Sequence, residues 1–316
     1  MTSYSFRYID RCNMCDSPSD TQRVLGKRLN APQGKWPRTR IGVAATIVEC
    51  TVCGLVFPNP LPLLGRIEDH YAVDPEHYWK DDYFQPEKGY FQTQIKRFKA
   101  LHSSDGRPRA LDVGAGIGKC IRSLTDAGFE AFGIEGSESF YLAAIERNRI
   151  SPERISLSTI EEASFAAESF DFVTFGAVLE HLYDPSTAIL KALTWLRSGG
   201  LIHLEVPSSK WLVSRLGNLF YRLTGTDYVA NLSPMHPPYH LYEFSLASFE
   251  RHAARFGYEI AYSRFHVAQT FMPRLVEPLL VKLMRATSTG MQMEVWLRKP
   301  FSQLQSDKMT RAHGQG

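Results

Sequence analysis

The stretch Ala110-Leu111-Asp112-Val113-Gly114-Ala115-Gly116-Ile117-Gly118 constrains this chain more than any other. An apolar run leads into three glycines spaced GxGxG, and a helical pattern over Lys119 to Ala127 follows, ended by Gly128. That order predicts a buried strand turning sharply into a helix. Glycine at such a turn takes dihedrals that a Cβ forbids and lets the backbone approach a ligand closely. A dinucleotide fingerprint would need a further glycine at 119, where this chain has Lys, so a diphosphate ligand loses ground. Asp112, just before the glycines, is awkward beside a pyrophosphate and suits a cationic ligand. Glu135 follows the next predicted strand, 23 residues after Asp112. A carboxylate there can accept hydrogen bonds from both hydroxyls of a ribose. The structural alternative is a glycine turn with two surface acids. The strand–turn–helix context favours the ligand site.

Strands and helices alternate from residue 109 onward. Arg109 to Val113, Glu130 to Ile134, Arg154 to Leu157, Phe170 to Phe175 and Leu201 to Val206 read as strands. Lys119 to Ala127, Ser139 to Arg149 and Pro185 to Trp195 read as the helices between them. This alternation implies parallel βαβ units in an α/β fold with helices on both faces of one sheet. An insertion follows over about 207–245, with a helical stretch Trp211 to Leu223 and a loop rich in Pro, His and Tyr. Leu246 to Phe256 is helical and ends at Gly257; Tyr258 to Val267 and Met291 to Arg298 are closing strands. Between them Pro273 to Arg285 is amphipathic, able to touch a membrane, although packing on the sheet is the simpler account. The main domain is therefore expected over 106–300, with a polar tail over 301–316.

Ahead of that domain lie two matched cysteine pairs, Cys12-Asn13-Met14-Cys15 and Cys50-Thr51-Val52-Cys53-Gly54. Each short knuckle aims two sulfurs at one point, and two knuckles make a tetrahedral thiolate site suited to Zn2+. Iron held by four thiolates remains chemically open. With all positions taken by protein sulfur, the metal would be structural rather than catalytic. The module is expected to be irregular over 1–62, closed by Pro58-Asn59-Pro60-Leu61-Pro62, whose prolines should stop any ladder. A helical connector is expected over 63–105. Cys120 stands alone and reads as a small buried residue.

Taken together, the chain resembles class I S-adenosylmethionine-dependent methyltransferases. Besides the glycine loop, Ser169-Phe170-Asp171-Phe172-Val173 is similar to that family's fourth strand, and Glu180-His181-Leu182-Tyr183-Asp184-Pro185 to its E-H-x-x-D-P segment. Leu196-Arg197-Ser198-Gly199-Gly200 resembles the turn before its fifth strand. The likeness covers about residues 85–300. It implies a Rossmann-like seven-stranded sheet of order 3-2-1-4-5-7-6 with strand seven antiparallel. It also implies S-adenosylmethionine over the carboxyl ends of the strands. Asp112, Gly114, Gly116, Gly118 and Glu135 would then contact this donor, with Gly176 near its methionine part. Many relatives meet the adenine with an Asp after strand three. Here the matching position is Thr159, followed by Ile160, so backbone or hydroxyl groups would serve. The cysteine module, with Cys53-Gly54-Leu55-Val56-Phe57-Pro58-Asn59-Pro60, resembles the N-terminal zinc segment of some bacterial small-molecule and sugar methyltransferases.

Methyl transfer to a hydroxyl or acidic carbon is helped by a base, and histidine titrates in the right range. His181 follows strand four; His236 and His240 lie in the insertion, in Met235-His236-Pro237-Pro238-Tyr239-His240. These three are the candidate catalytic or substrate-positioning residues, the alternative for each being plain packing. The net charge of +3 shows no basic stripe for nucleic acid, the first 60 residues carrying eight Lys/Arg against four Asp/Glu. No apolar run is long enough for a membrane span, and Met1 to Arg11 lacks a secretory leader's apolar run, so a cytoplasmic protein is expected. The expected acceptor is a sugar, glycan precursor or natural-product intermediate. An RNA acceptor docked by the zinc module, or a non-catalytic cofactor-binding protein, are the other two possibilities.

Overall fold

The structure is a computed structural model describing residues 4–28, 45–64, 89–103, 106–230, 240–267 and 274–301. The expected site His236, the start of the segment at Pro273, and most of the connector and tail lie outside these residues. Among the described residues five strands come before the first α-helix: β1 (Tyr4–Arg7), β2 (Gln22–Arg28), β3 (Ala45–Cys50), β4 (Val56–Pro58) and β5 (Leu61–Leu64). Then come α1 (Gln92–Leu101), β6 (Arg109–Val113), α2 (Lys119–Asp126), β7 (Glu130–Glu135), α3 (Glu138–Glu146) and β8 (Ile155–Leu157). The remainder is β9 (Phe170–Gly176), α4 (Pro185–Trp195), β10 (Leu196–Pro207), α5 (Leu212–Leu223), α6 (Leu246–Phe256), β11 (Glu259–His266), α7 (Glu277–Thr287) and β12 (Gln292–Arg298).

Seven strands form one sheet in the order β11-β12-β10-β9-β6-β7-β8. Read from the other edge this is 3-2-1-4-5-7-6, the expected order. Strands β6 to β10 pair in parallel, and β12 runs antiparallel to both β10 and β11. β9 is a central strand buried along its length: Phe170 to Phe175 are all buried, with Asp171 and Thr174 the polar exceptions among apolar residues. The chain reverses its direction of growth between β6 and β9. A crevice therefore opens beyond their carboxyl ends, at the switch point where such sheets bind ligands. β10 begins earlier than expected, at Leu196, because Ser198-Gly199-Gly200 bulges between the paired residues Leu196 and Leu201.

The N-terminal module departs from expectation. It is ordered β structure, a three-stranded antiparallel sheet β2-β3-β4 and a two-stranded pair β1-β5. The prolines do not stop the ladders: Pro58 lies opposite Ile47 and Pro62 opposite Phe6, around a cis Asn59–Pro60 bond. Proline is tolerated here because β4 and β5 are edge strands, where a missing N–H costs no ladder bond. Leu63 and Leu64 thus belong to this module rather than to a helical connector.

The module shares its core with the sheet domain. Cys12, Met14, Leu55 and Phe57 form one buried cluster with Tyr242, Phe244 and Phe249. Each such large apolar side chain contributes roughly 1.5–3 kcal/mol when buried. Polar ties reinforce the seam: Arg28 and Glu243 make a buried ion pair, and Arg255 donates to the Met14 carbonyl at 3.0 Å. Among the described residues no helix is long and apolar enough to cross a membrane.

Candidate functional site

The glycine turn is fixed by β7. The N–H groups of Gly114 and Ala115 both donate to the Ile134 carbonyl at 2.9 Å. Gly114, Gly116 and Gly118 all have positive φ, at 69°, 55° and 78°. A Cβ on Gly114 would come within 2.5 Å of Val178, and one on Gly118 within 2.5 Å of Ile150. Both glycines are thus required by conformation and by space.

Glu135 ends β7 and clamps the turn. One carboxylate oxygen accepts from the Gly116 N–H at 2.7 Å and the other from the Ser137 N–H at 2.8 Å. Burial raises its pKa, and these backbone donors pull it back down. Backbone N–H groups of Gly116, Ser137 and Gly136 lie against the carboxylate, and its two oxygens have acceptor capacity beyond them for a ligand hydroxyl.

Beside this clamp is a cavity of about 620 Å³, a size ordinary for a small-molecule site. Gly114, Gly116, Glu135, Thr159, Ile160, Gly176 and His181 all line it. Asp112 and Gly118 do not. Asp112 is buried under the turn, its pKa raised to about 8 first by burial and then by the charge of Glu135, with Cys120 beside it. Thr159 takes the β8 end, but its hydroxyl already accepts from the Glu162 N–H at 3.3 Å. Gly176 leaves open space at the end of β9, with nothing within 4 Å of a built Cβ.

The opposite end is polar and was not foreseen. Glu205 from β10, and Arg264 and His266 from β11, enter the cavity there, with Tyr90 and Phe91 ahead of α1. β12 supplies their anchor: Glu294 binds Arg264 at 2.8 Å, His266 at 3.1 Å and the Trp296 indole N–H at 2.7 Å. Burial alone would raise the Glu294 pKa, but the bonds from His266 and Trp296 outweigh it and hold it at about 2. The signal available in sequence was a polar residue inside an apolar strand, His203 and Glu205 in β10 and Glu294 in β12.

His181 and His240 meet. Their rings pack edge to face with centroids 4.5 Å apart, and His181 is 7% exposed at the cavity wall. The segment carrying His240 is pinned because the Leu241 N–H donates to the Glu180 carbonyl at 2.6 Å. Glu180 is itself buried, which lifts its carboxyl pKa to about 8.

In the N-terminal module the four expected cysteines converge. Cys12 and Cys53 sulfurs lie 3.6 Å apart, as do those of Cys15 and Cys50. A disulfide would bring a pair to about 2.05 Å. Zinc bonded to sulfur at about 2.3 Å in a tetrahedron spaces its ligands by roughly 3.8 Å, which the observed spacing fits. Cys12, Cys15, Cys50 and Cys53 would hold a structural zinc, and no other residue is needed.

A sequence-family profile described as "Methyltransferase domain" matches residues 86–263. The chain belongs to the methyltransferase domain family. Curated relatives include a protein named ubiquinone biosynthesis O-methyltransferase from Methylococcus capsulatus, 28% identical over 141 residues, 44% of this chain and 57% of that protein. A protein of the same name from Coxiella burnetii is 27% identical over 128 residues, 39% of this chain and 52% of its own length. The chain thus spans just over half the length of these relatives. Among solved structures, a Haloferax volcanii complex between the Trm112 methyltransferase activator and a methyltransferase matches with TM-score 0.47 and 16% identity, covering 70% of this chain and 94% of that one. An S-adenosylmethionine-dependent methyltransferase from Mesorhizobium loti matches with TM-score 0.46 and 15% identity, covering 65% and 97%. The family match stops before β12, and the cysteine module lies outside it.

Proposed function

We propose that this methyltransferase-domain protein transfers a methyl group from S-adenosylmethionine to an oxygen or carbon of a small-molecule acceptor such as a sugar, a glycan precursor or a natural-product intermediate. The observation that carries this is the Glu135 clamp on the glycine turn, lining the cavity with acceptor capacity left for a ligand hydroxyl. Glu135 holds the ribose hydroxyls. Gly114 and Gly116 let the backbone close on the methionyl end, and Thr159 and Ile160 flank the adenine. Gly176 leaves room for the methionine part. Asp112 supports this set from beneath.

The acceptor enters the polar end, among His181, Glu205, Arg264 and His266. Its heteroatom attacks the methyl carbon in line, the carbon–sulfur bond breaks, and the electron pair stays on sulfur to leave S-adenosylhomocysteine. The acceptor proton passes to His181 or to water, with His240 orienting His181. The donor is already activated, so alignment supplies much of the rate. The relatives named as O-methyltransferases favour oxygen over carbon.

Transfer of labelled methyl from the donor to a panel of hydroxylated small molecules tests the proposal. H181A should cut kcat roughly 100-fold or more, the range of a lost general base. A labelled product formed equally by wild type and H181A removes His181 from the chemistry. No product from any acceptor, with the donor bound, would leave a cofactor-binding protein without turnover.

A further inference from the structure

Glu180, His181 and His240 present three metal-ligand atoms, one carboxylate oxygen and two ring nitrogens, all within 4.8 Å of one another. Glu180 and His181 lie on the short turn after β9, and His240 arrives on the segment whose Leu241 N–H bonds to the Glu180 carbonyl. Glu180 is 2% exposed, and its Oε2 has no hydrogen-bond partner. A buried polar atom left unsatisfied costs about 1–3 kcal/mol and calls for a specific explanation.

We propose that Glu180, His181 and His240 bind one divalent transition-metal ion, and that this ion holds the acceptor's oxygen at the cavity wall. This rests on the methyl-transfer reading of the cavity. The donor set, two imidazoles and one carboxylate, selects an ion of the zinc, cobalt or iron class over calcium. Metal–ligand bonds of about 2.0–2.2 Å require the three groups to draw together slightly. His240, the least buried of the three, has the room to do so.

Three protein ligands leave a coordination position open, unlike the closed four-sulfur site. His181 lines the cavity, so that position faces the acceptor. An acceptor hydroxyl bound there loses its proton more readily, to water or buffer. The resulting alkoxide or phenolate attacks the methyl carbon as the carbon–sulfur bond breaks toward sulfur. His181 then acts through the ion in place of taking the acceptor's proton itself, which accounts for a buried carboxylate and two imidazoles being gathered at one point.

The test is a Co2+ titration of the zinc-loaded protein followed by visible absorption, with S-adenosylhomocysteine binding measured in parallel by calorimetry. One equivalent of cobalt should bind beyond the cysteine site, giving visible bands without a sulfur-to-metal charge-transfer band. E180Q and H240A should each weaken that binding at least tenfold while S-adenosylhomocysteine affinity and the far-UV spectrum stay unchanged. Absence of the second equivalent, or equal cobalt affinity in both folded variants, overturns the metal site. If cobalt binds as expected but the demethylated donor does not, the methyltransferase reading fails and the metal site stands.

Discussion

Asp112 and Glu135 are both buried acids beside the glycine turn, yet they do different work. Glu135 is satisfied by two backbone donors and lines the cavity; Asp112 is buried beneath, its pKa raised to about 8. For a carboxyl whose folded pKa exceeds its unfolded value, the folded state binds more protons between the two. Stability is then fullest below the unfolded pKa, near 3.8, and falls as pH rises toward 8. Thermal melts of the ligand-free protein should show Tm declining across that window, with a shallower decline in D112N. A D112N melt series parallel to wild type would contradict this. The glycine turn and its clamping carboxylate were legible because they are read by local spacing: one strand, one turn and one carboxylate. Glu205, Arg264 and His266 were not, because they meet only through the antiparallel register of β10, β12 and β11.

At the level of elements, the cysteine module and α6 are joined by a cap. Ser245 caps α6 by accepting from the Ser248 N–H at 3.2 Å, and both serine hydroxyls donate to the Cys53 carbonyl. The second knuckle therefore helps hold the segment that carries His240. S245A should lose about 1 kcal/mol, the usual worth of an N-cap, or somewhat more, since Cys53 also loses a donor. Chemical denaturation measures it, and a loss indistinguishable from zero would mean that Ser248 suffices. Stripping the metal with a chelator should speed hydrogen exchange at residues 241–248, because a structural zinc site contributes folding energy directly. Exchange confined to the knuckles would show instead that the two parts are uncoupled. The helices of the sheet domain were legible from periodicity and caps; α6 and Gly257 fall where expected. The strands of the module were not. β2 carries no clean alternation, its buried residues falling only at Gly26 and Arg28, and its partner β3 is distant in sequence.

Across the whole molecule, the sheet order was legible only through the family resemblance, since strand alternation alone leaves the order open. Trp296, whose indole N–H binds Glu294 at the polar end of the cavity, belongs to an aromatic stack. Phe172 is fully buried against Trp296, their rings 5.5 Å apart and nearly parallel, with Phe98 on another side at 5.0 Å. F172A should destabilise by about 3–5 kcal/mol in denaturant melts, as expected for emptying a large core site. A cost below about 1 kcal/mol would show that the layer can collapse around the loss.

The central claim is that a carboxylate-clamped glycine turn grips S-adenosylmethionine. Titration calorimetry of the folded, zinc-loaded protein with S-adenosylhomocysteine tests it most directly. The account predicts saturable binding at one site, weakened at least tenfold in E135A. Absence of heat from the folded wild-type protein, or an unaltered isotherm in folded E135A, would contradict it.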